Sequence, residues 1–167
     1  MSVFFIADTH FGEKDIIKYT NRRFDNADDM DKEIIFRWNS VVKEDDIVYH
    51  LGDFGGDGKE KQILSKLNGK KYLVKGNHDT KSNQEYRDFG FIEVYDHPII
   101  IDDFWILSHE PLYISDNNPY AILFGHVHLN PIFRDCSTHH FCVTAERINF
   151  TPIDFNEIKE RMKKSKN

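Results

Sequence analysis

Along the chain, short runs that are apolar at every position alternate with longer stretches in which apolar residues recur every three or four positions. Val3-Phe4-Phe5-Ile6-Ala7 is saturated with apolar side chains and predicts a buried strand. Residues 27 to 42 carry Met30, Ile34, Ile35, Trp38, Val41 and Val42 at helical spacing, which predicts an amphipathic helix. Ile47-Val48-Tyr49 predicts a second strand, followed by Gly52-Asp53 and a glycine-rich turn. Ile63, Leu64 and Leu67 predict a helix stopped by Asn68-Gly69. Tyr72-Leu73-Val74 predicts a third strand, again ending in a glycine turn at Gly76-Asn77.

This alternation of strand and helix implies parallel βαβ units. The second half is richer in strands, expected at 91–95, 98–101, 103–108, 120–125 and 140–144, with Asp102-Asp103 as a tight hairpin turn. A last helix is expected from about residue 154 to 164. The fold class is therefore α/β, with two packed mixed β-sheets flanked by helices. No internal repeat, low-complexity tract or linker divides residues 1–167, so a single domain is expected.

Charge narrows the range of partners. The formal net charge is −6, from 28 acidic and 22 basic side chains. Free-standing binding to a nucleic-acid backbone needs a basic surface and is not expected. Nucleotides remain possible substrates, because bound cations reverse the local sign of a site. The one basic run, Lys159, Arg161, Lys163, Lys164 and Lys166, reads as a solvated helix end. Cys136 and Cys142 offer no disulfide framework and no CxxC pair, and they read as reduced structural residues. No apolar stretch reaches the ~18–20 residues of a membrane span, and the apolar start is too short for a signal peptide. The expected location is the reducing cytoplasm.

The candidate chemistry sits at the ends of the expected strands. Asp8 and His10 follow the first strand, Asp53 the second, and Asn77 and His78 the third; His109 follows the strand ending near Leu107, and His126 and His128 follow Leu123-Phe124. In open α/β sheets, ligands bind beyond the carboxyl ends of the strands. Imidazole, carboxylate and amide oxygen together suit divalent ions such as Mn, Fe, Zn, Ni or Co, and the lack of thiolate disfavours a structural zinc knot. Seven ligands are too many for one catalytic ion with an open position. They suit two ions sharing a carboxylate, about 3.5–4 Å apart, and such pairs promote in-line attack on phosphorus.

The blocks Asp8-Thr9-His10, Gly52-Asp53, Gly76-Asn77-His78-Asp79, His109 and Gly125-His126-Val127-His128 occur in the order found in the calcineurin-like metallophosphoesterases. The chain resembles the small single-domain microbial or phage members of that family. The resemblance implies a four-layer αββα sandwich and hydrolysis of phosphate esters by a metal-bridging hydroxide. By position, one metal is held by Asp8, His10, Asp53 and His128, the other by Asp53, Asn77, His109 and His126, with Asp53 shared. Manganese is the first choice of metal. His78 corresponds to the histidine that contacts substrate and assists the leaving oxygen, and Asn77 also faces the substrate.

Several residues carry two readings. His50 either orients a ligand or is a buried histidine satisfied by backbone. Asp79 either orients His78 or caps the following helix. Arg22 and Arg23 are candidates for holding substrate phosphate, against the alternative of solvent-facing loop arginines. His97, His139 and His140 read as surface residues.

The resemblance has one informative departure. Serine/threonine protein phosphatases of the family bind phosphate through the arginine of Gly-Asp-x-Val-Asp-Arg-Gly. Here that segment is Gly52-Asp53-Phe54-Gly55-Gly56-Asp57-Gly58, with Asp57 in the arginine's place and Gly56 in place of the acidic residue. The Gly-Asn-His block ends in Asp79 rather than Glu. A protein phosphatase is therefore disfavoured. The expected function is a phosphodiesterase acting on nucleotides or cyclic nucleotides. The alternatives are a phosphomonoesterase, a nuclease acting with a partner, or an inactive scaffold.

Overall fold

A computed structural model describes residues 1–115 and 117–165 of the chain; Lys166, the end of the basic run, lies outside them. The first strand, β1 (Val3–Ile6), shows why its run is apolar throughout. Phe4 and Ile6 enter one core cluster, while Phe5 and the following Ala7 enter another. Both faces of the strand are buried, so both positions of the two-residue period must be apolar.

β1 pairs in parallel with β2 (Ile47–His50), β2 with β3 (Lys70–Val74), and β3 with β4 (Glu93–Tyr95). On its other edge β1 pairs antiparallel with the short β9 (Ile153–Asp154), giving the order β4-β3-β2-β1-β9. The second sheet contains β5 (Ile99–Ile101), β6 (Trp105–Ser108), β7 (Ala121–Phe124) and β8 (His140–Cys142). β5 and β6 form the expected hairpin. Asp102 and Asp103 have φ of 51° and 52°, the left-handed backbone that a tight turn between twisted strands demands. β6, β7 and β8 run parallel.

Helices α1 (Lys14–Tyr19), α2 (Ala27–Val41), α3 (Glu60–Leu64) and α4 (Asn83–Phe89) contribute Ile16, Met30, Ile34, Trp38, Ile63 and Tyr86 to the outer face of the first sheet. α2 starts at Asn26, whose side-chain oxygen accepts a hydrogen bond from the Asp29 amide at 2.9 Å. Between the sheets, Phe5, Leu51 and Val74 meet Leu107, Leu123 and Phe141; α5 (Phe155–Lys164) inserts Phe155, Ile158 and Met162 into the same core. The other face of the second sheet presents Ile122, Phe124 and Cys142. It is covered by Val127, Ile114 and Phe133 from loops.

The expected α/β class of two mixed sheets with flanking helices is thus the fold, with loops over the second outer face. Six of the eight predicted strands are one or two residues too long, while β2 and β3 extend one and two residues beyond their predicted runs. α1 and the 3-10 turn Ala145–Ile148 carry too few periodic positions to be read from pattern. α4 did leave a signal in Ser82-x-x-Glu85, and the structure contains that reciprocal capping box. Among the described residues, no helix is long and apolar enough to cross a membrane.

Candidate metal centre

The carboxyl ends of β1, β2, β3, β6 and β7 converge, and each carries the polar residues expected there. The backbone that does this is unusual. Asp8, His10, Asp53, His126 and His128 have φ of 58°, 49°, 55°, 69° and 44°. Asp and His enter the left-handed region more readily than most residues, and such strain concentrates at functional sites. An extended Asp-x-His segment would put both side chains on one side, but Asp8 and His10 are brought together differently. β1 ends at Ile6, and two left-handed residues turn both side chains inward. The chain must also approach itself closely here. A Cβ on Gly76 would collide with Asp53, and one on Gly125 with Ala7 and the Asp8 carboxylate.

Two groups of ligand atoms result. Asp8, His10 and His128 bring one donor atom each within 4.8 Å of one another, and so do Asp53, His109 and His126. Asn77 joins the second group, its Oδ1 3.0 Å from His109 Nε2 and 3.1 Å from His126 Nδ1. Asp53 Oδ2 lies 3.4 Å from His109 Nε2 and 3.6 Å from His10 Nε2, so one oxygen stands between the groups.

The donor set fits cations on its own evidence. His10 Nδ1 lies 3.0 Å from Glu13 Oε2, and the opposite nitrogen, Nε2, is buried without a hydrogen-bond partner. A buried lone pair of that kind is costly unless it serves as a ligand. His109 donates Nδ1–H to the Leu51 carbonyl at 2.8 Å, which turns Nε2 toward the site. Burial disfavours charge on His109, but its hydrogen bond to Asp53 and the charges of Asp8 and Asp53 raise its pKa to about 9. Burial would raise Asp53, yet His109 above all holds it down at about 2. Protons are thus gathered at the positions for which a divalent cation competes.

Behind the ligands lies a second layer that the sequence reading left mostly unassigned. Glu146 Oε1 accepts hydrogen bonds from Arg22 Nε at 2.9 Å and lies 3.0 Å from His128 Nδ1. Arg22 also donates to the carbonyl oxygens of Asp8 and Thr9, at 2.6 and 2.8 Å. Arg22 is therefore neither a solvent-facing arginine nor a holder of substrate phosphate: it is buried, and its guanidinium is spent on Glu146 and the Asp8–His10 turn. Arg23 is exposed and lines a separate shallow hollow with Phe24, Asp25 and Arg37.

Asp79 also departs from both of its readings, since Ser82 caps α4. The Asp79 carboxylate accepts from the amides of Asp53, Phe54 and Gly76 at 2.7, 3.1 and 2.9 Å, pinning two ligand loops together. His50 Nε2 is 3.0 Å from Thr9 Oγ1, and that hydroxyl donates to the Phe54 carbonyl at 2.8 Å. Burial pushes the His50 pKa down to about 3, so this link is neutral. Thr144 Oγ1 and the His126 amide donate to the Asp8 carboxylate.

The centre opens into a cavity of about 870 Å³. His10, Asp53, Asn77, His78, His126 and His128 face it, with Glu13, Asp15, Tyr19 and Phe133 around them. His78 is exposed there, its amide donating to Asp53 Oδ1 at 2.9 Å and its ring 5.2 Å from that of His10. Of the histidines read as surface, His97 is exposed, whereas His139 and His140 are half-buried.

Comparison with known proteins agrees with this arrangement. The chain is 31% identical to an uncharacterised protein of Methanocaldococcus jannaschii, over 98% of this chain and 93% of that one. It is 34% identical to the gene 66 protein of Mycobacterium phage L5, over 47% of this chain and 40% of that one. Among solved structures, a protein of unknown function from Aquifex aeolicus superposes with a TM-score of 0.75 at 28% identity, covering 96% of this chain and 99% of that one. The model of the calcineurin-like phosphoesterase superfamily domain matches residues 1–143, and the chain, with its two groups of candidate metal ligands, belongs to that superfamily.

Proposed function

We propose that this metal-dependent phosphoesterase is a phosphodiesterase, with nucleotides or cyclic nucleotides as its substrate class. The observation that supports the diester reading is the charge of the cavity. Among its described lining residues there is no Lys or Arg, while Glu13, Asp15 and Asp53 are present. A monoester brings a dianionic terminal phosphate, which such a wall offers no side-chain cation to hold. A diester carries one negative charge and places less demand on it. Arg22 and Arg23, the candidates for holding a terminal phosphate, are not among the residues that line the cavity.

Asp8, His10, Asp53 and His128 would hold one divalent cation, and Asp53, Asn77, His109 and His126 the other, with manganese the first candidate for nitrogen and oxygen donors. When bound, such a pair supplies positive charge for the phosphoryl oxygens and a nucleophile at neutral pH. His78 stands over the site, and in this reading it gives its proton to the departing oxygen. Positioned acids of this kind are worth ~10²–10⁴-fold. Asn77 offers its amide nitrogen to a phosphoryl oxygen while its Oδ1 faces the imidazoles.

The test is turnover of bis-p-nitrophenyl phosphate against p-nitrophenyl phosphate by Mn²⁺-loaded protein. Faster hydrolysis of the diester is expected; turnover of the monoester alone would overturn the reading. The free Cys136 and Cys142 are compatible with the reducing cytoplasm that the sequence suggests.

A further inference from the structure

Beside the metal cavity lies a second groove of about 480 Å³. Its floor is Ile122 and Phe124 from the outer face of β7, and its walls are Pro111, Leu112 and Tyr113 on one side and Ile132, Phe133 and Arg134 on the other. Pro111 and Phe133 line both spaces, so the groove continues the catalytic cavity. The two walls are the loops that directly follow the candidate ligands His109 and His128. Tyr113 is 94% exposed and Ile132 82% exposed, on loops where solvation alone would favour polar residues.

The groove wall is also held in place. Arg147 donates to the carbonyl oxygens of His128, Asn130 and Phe133, bracing the loop that carries Ile132 and Phe133. Among the described residues that line this groove none is acidic, and Arg134 adds a cation to its wall. An apolar slot with aromatic and proline walls, one arginine in the wall and an opening toward a phosphoryl site matches one kind of group. That group is a flat ring with polar edges carried by the phosphate it is joined to. A hydrocarbon chain would use the floor but leave Arg134 idle.

We infer that this groove is the subsite for the nucleobase of the substrate, stacked against Tyr113 and Phe133 while the phosphate reaches the metal centre. The inference rests on the diesterase reading and specifies which part of the substrate is recognised. Stacking on aromatic side chains tolerates any base, so binding here selects nucleosides over simple alcohols without reading sequence.

The experiment compares thymidine 5′-(p-nitrophenyl phosphate), methyl p-nitrophenyl phosphate and octyl p-nitrophenyl phosphate on the Mn²⁺-loaded full chain. All three share one leaving group, so only the retained alcohol differs. The thymidine ester is expected to show kcat/KM about 10-fold or more above the methyl ester, carried by KM. Tyr113→Ser and Ile132→Ser, both at exposed positions, are expected to erase that preference and leave methyl-ester turnover unchanged. Equal kcat/KM for the thymidine and methyl esters, a preference that survives both substitutions, or a stronger preference for the octyl ester would each overturn the inference. No turnover of any ester would instead overturn the diesterase reading. Calorimetric binding of thymidine 5′-monophosphate against inorganic phosphate then decides the groove: tighter nucleotide binding that both variants weaken supports it, and no such difference refutes it.

Discussion

Arg22 and Glu146, 124 positions apart in the chain, form a buried ion pair at 2.8 Å directly behind the candidate ligand His128. One carboxylate oxygen thus orients the imidazole of a candidate ligand and anchors the guanidinium that holds the Asp8–Thr9 carbonyls. Glu13 does the corresponding work for His10. The Asp8, His10 and His128 group is accordingly backed by two carboxylates, whereas His109 in the other group is backed by the neutral carbonyl of Leu51. Carboxylates behind imidazoles fix the tautomer and raise ligand basicity.

Glu146→Gln should therefore weaken cation binding selectively. It preserves shape but replaces the charge behind His128 with a neutral amide. A loss of about 10–100-fold in Mn²⁺ affinity is expected at the Asp8 group, with the Asp53 group little changed. Calorimetric titration resolves the two events. An equal loss at both groups, or none at either, would contradict the division of labour between the two carboxylates.

Arg22→Met tests the same pair from the other side. It leaves a buried carboxylate without its partner and two backbone carbonyls without a donor. Breaking a buried pair in this way typically costs about 3–5 kcal/mol. Urea denaturation of metal-free protein should show that loss. A midpoint equal to that of the parent would mean that Arg22 is a solvated loop residue after all.

A pH prediction follows from a pair away from the ligands. Glu60 is buried at the start of α3 and accepts a hydrogen bond from Lys81. Burial pushes its pKa up, but the Lys81 hydrogen bond and charge outweigh this, so the net shift is downward from 4.5. A depressed carboxylate contributes stability that is present above the unfolded value and is lost as pH falls through the folded one. Glu60→Gln should thus cost about 1.5–3 kcal/mol near pH 7, the range for a hydrogen bond to a charged group. The difference should close as pH drops below 4.5. A difference that is constant from pH 7 to pH 3 would rule the ionic contribution out.

The convergence of the seven candidate ligands was legible because metal chemistry restricts residue type and the strand ends restrict position. The saturated run at Val3–Ala7 was legible for a similar reason: a strand buried on both faces admits few polar residues. Glu146 was not legible. It lies in a short 3-10 turn with no periodicity, and only the return of the chain past β8 places it against His128. Arg22 stayed open between phosphate holder and solvated loop residue, because arginine chemistry suits substrate phosphate, water and carbonyl oxygens alike. Burial decides between those, and one sequence does not report burial for a residue in an irregular loop. The roles of Asp79 and Thr144 depend likewise on contacts across loops rather than on neighbours in sequence.

Separating binding from chemistry requires two variants read together. Asp53→Ala removes the oxygen that stands between the ligand groups, and it should abolish both cation binding and turnover. His78→Gln removes no candidate ligand, so Mn²⁺ affinity should remain while kcat falls by ~10²–10⁴-fold. The size of the second effect should depend on the leaving group. A p-nitrophenolate is stable as an anion and needs little protonation, whereas a nucleoside alkoxide needs a proton as the bond to phosphorus breaks. His78→Gln should therefore damage hydrolysis of a cyclic nucleotide far more than that of bis-p-nitrophenyl phosphate. Equal losses on both substrates would remove His78 from the proton transfer and leave it only the task of positioning the phosphoryl group.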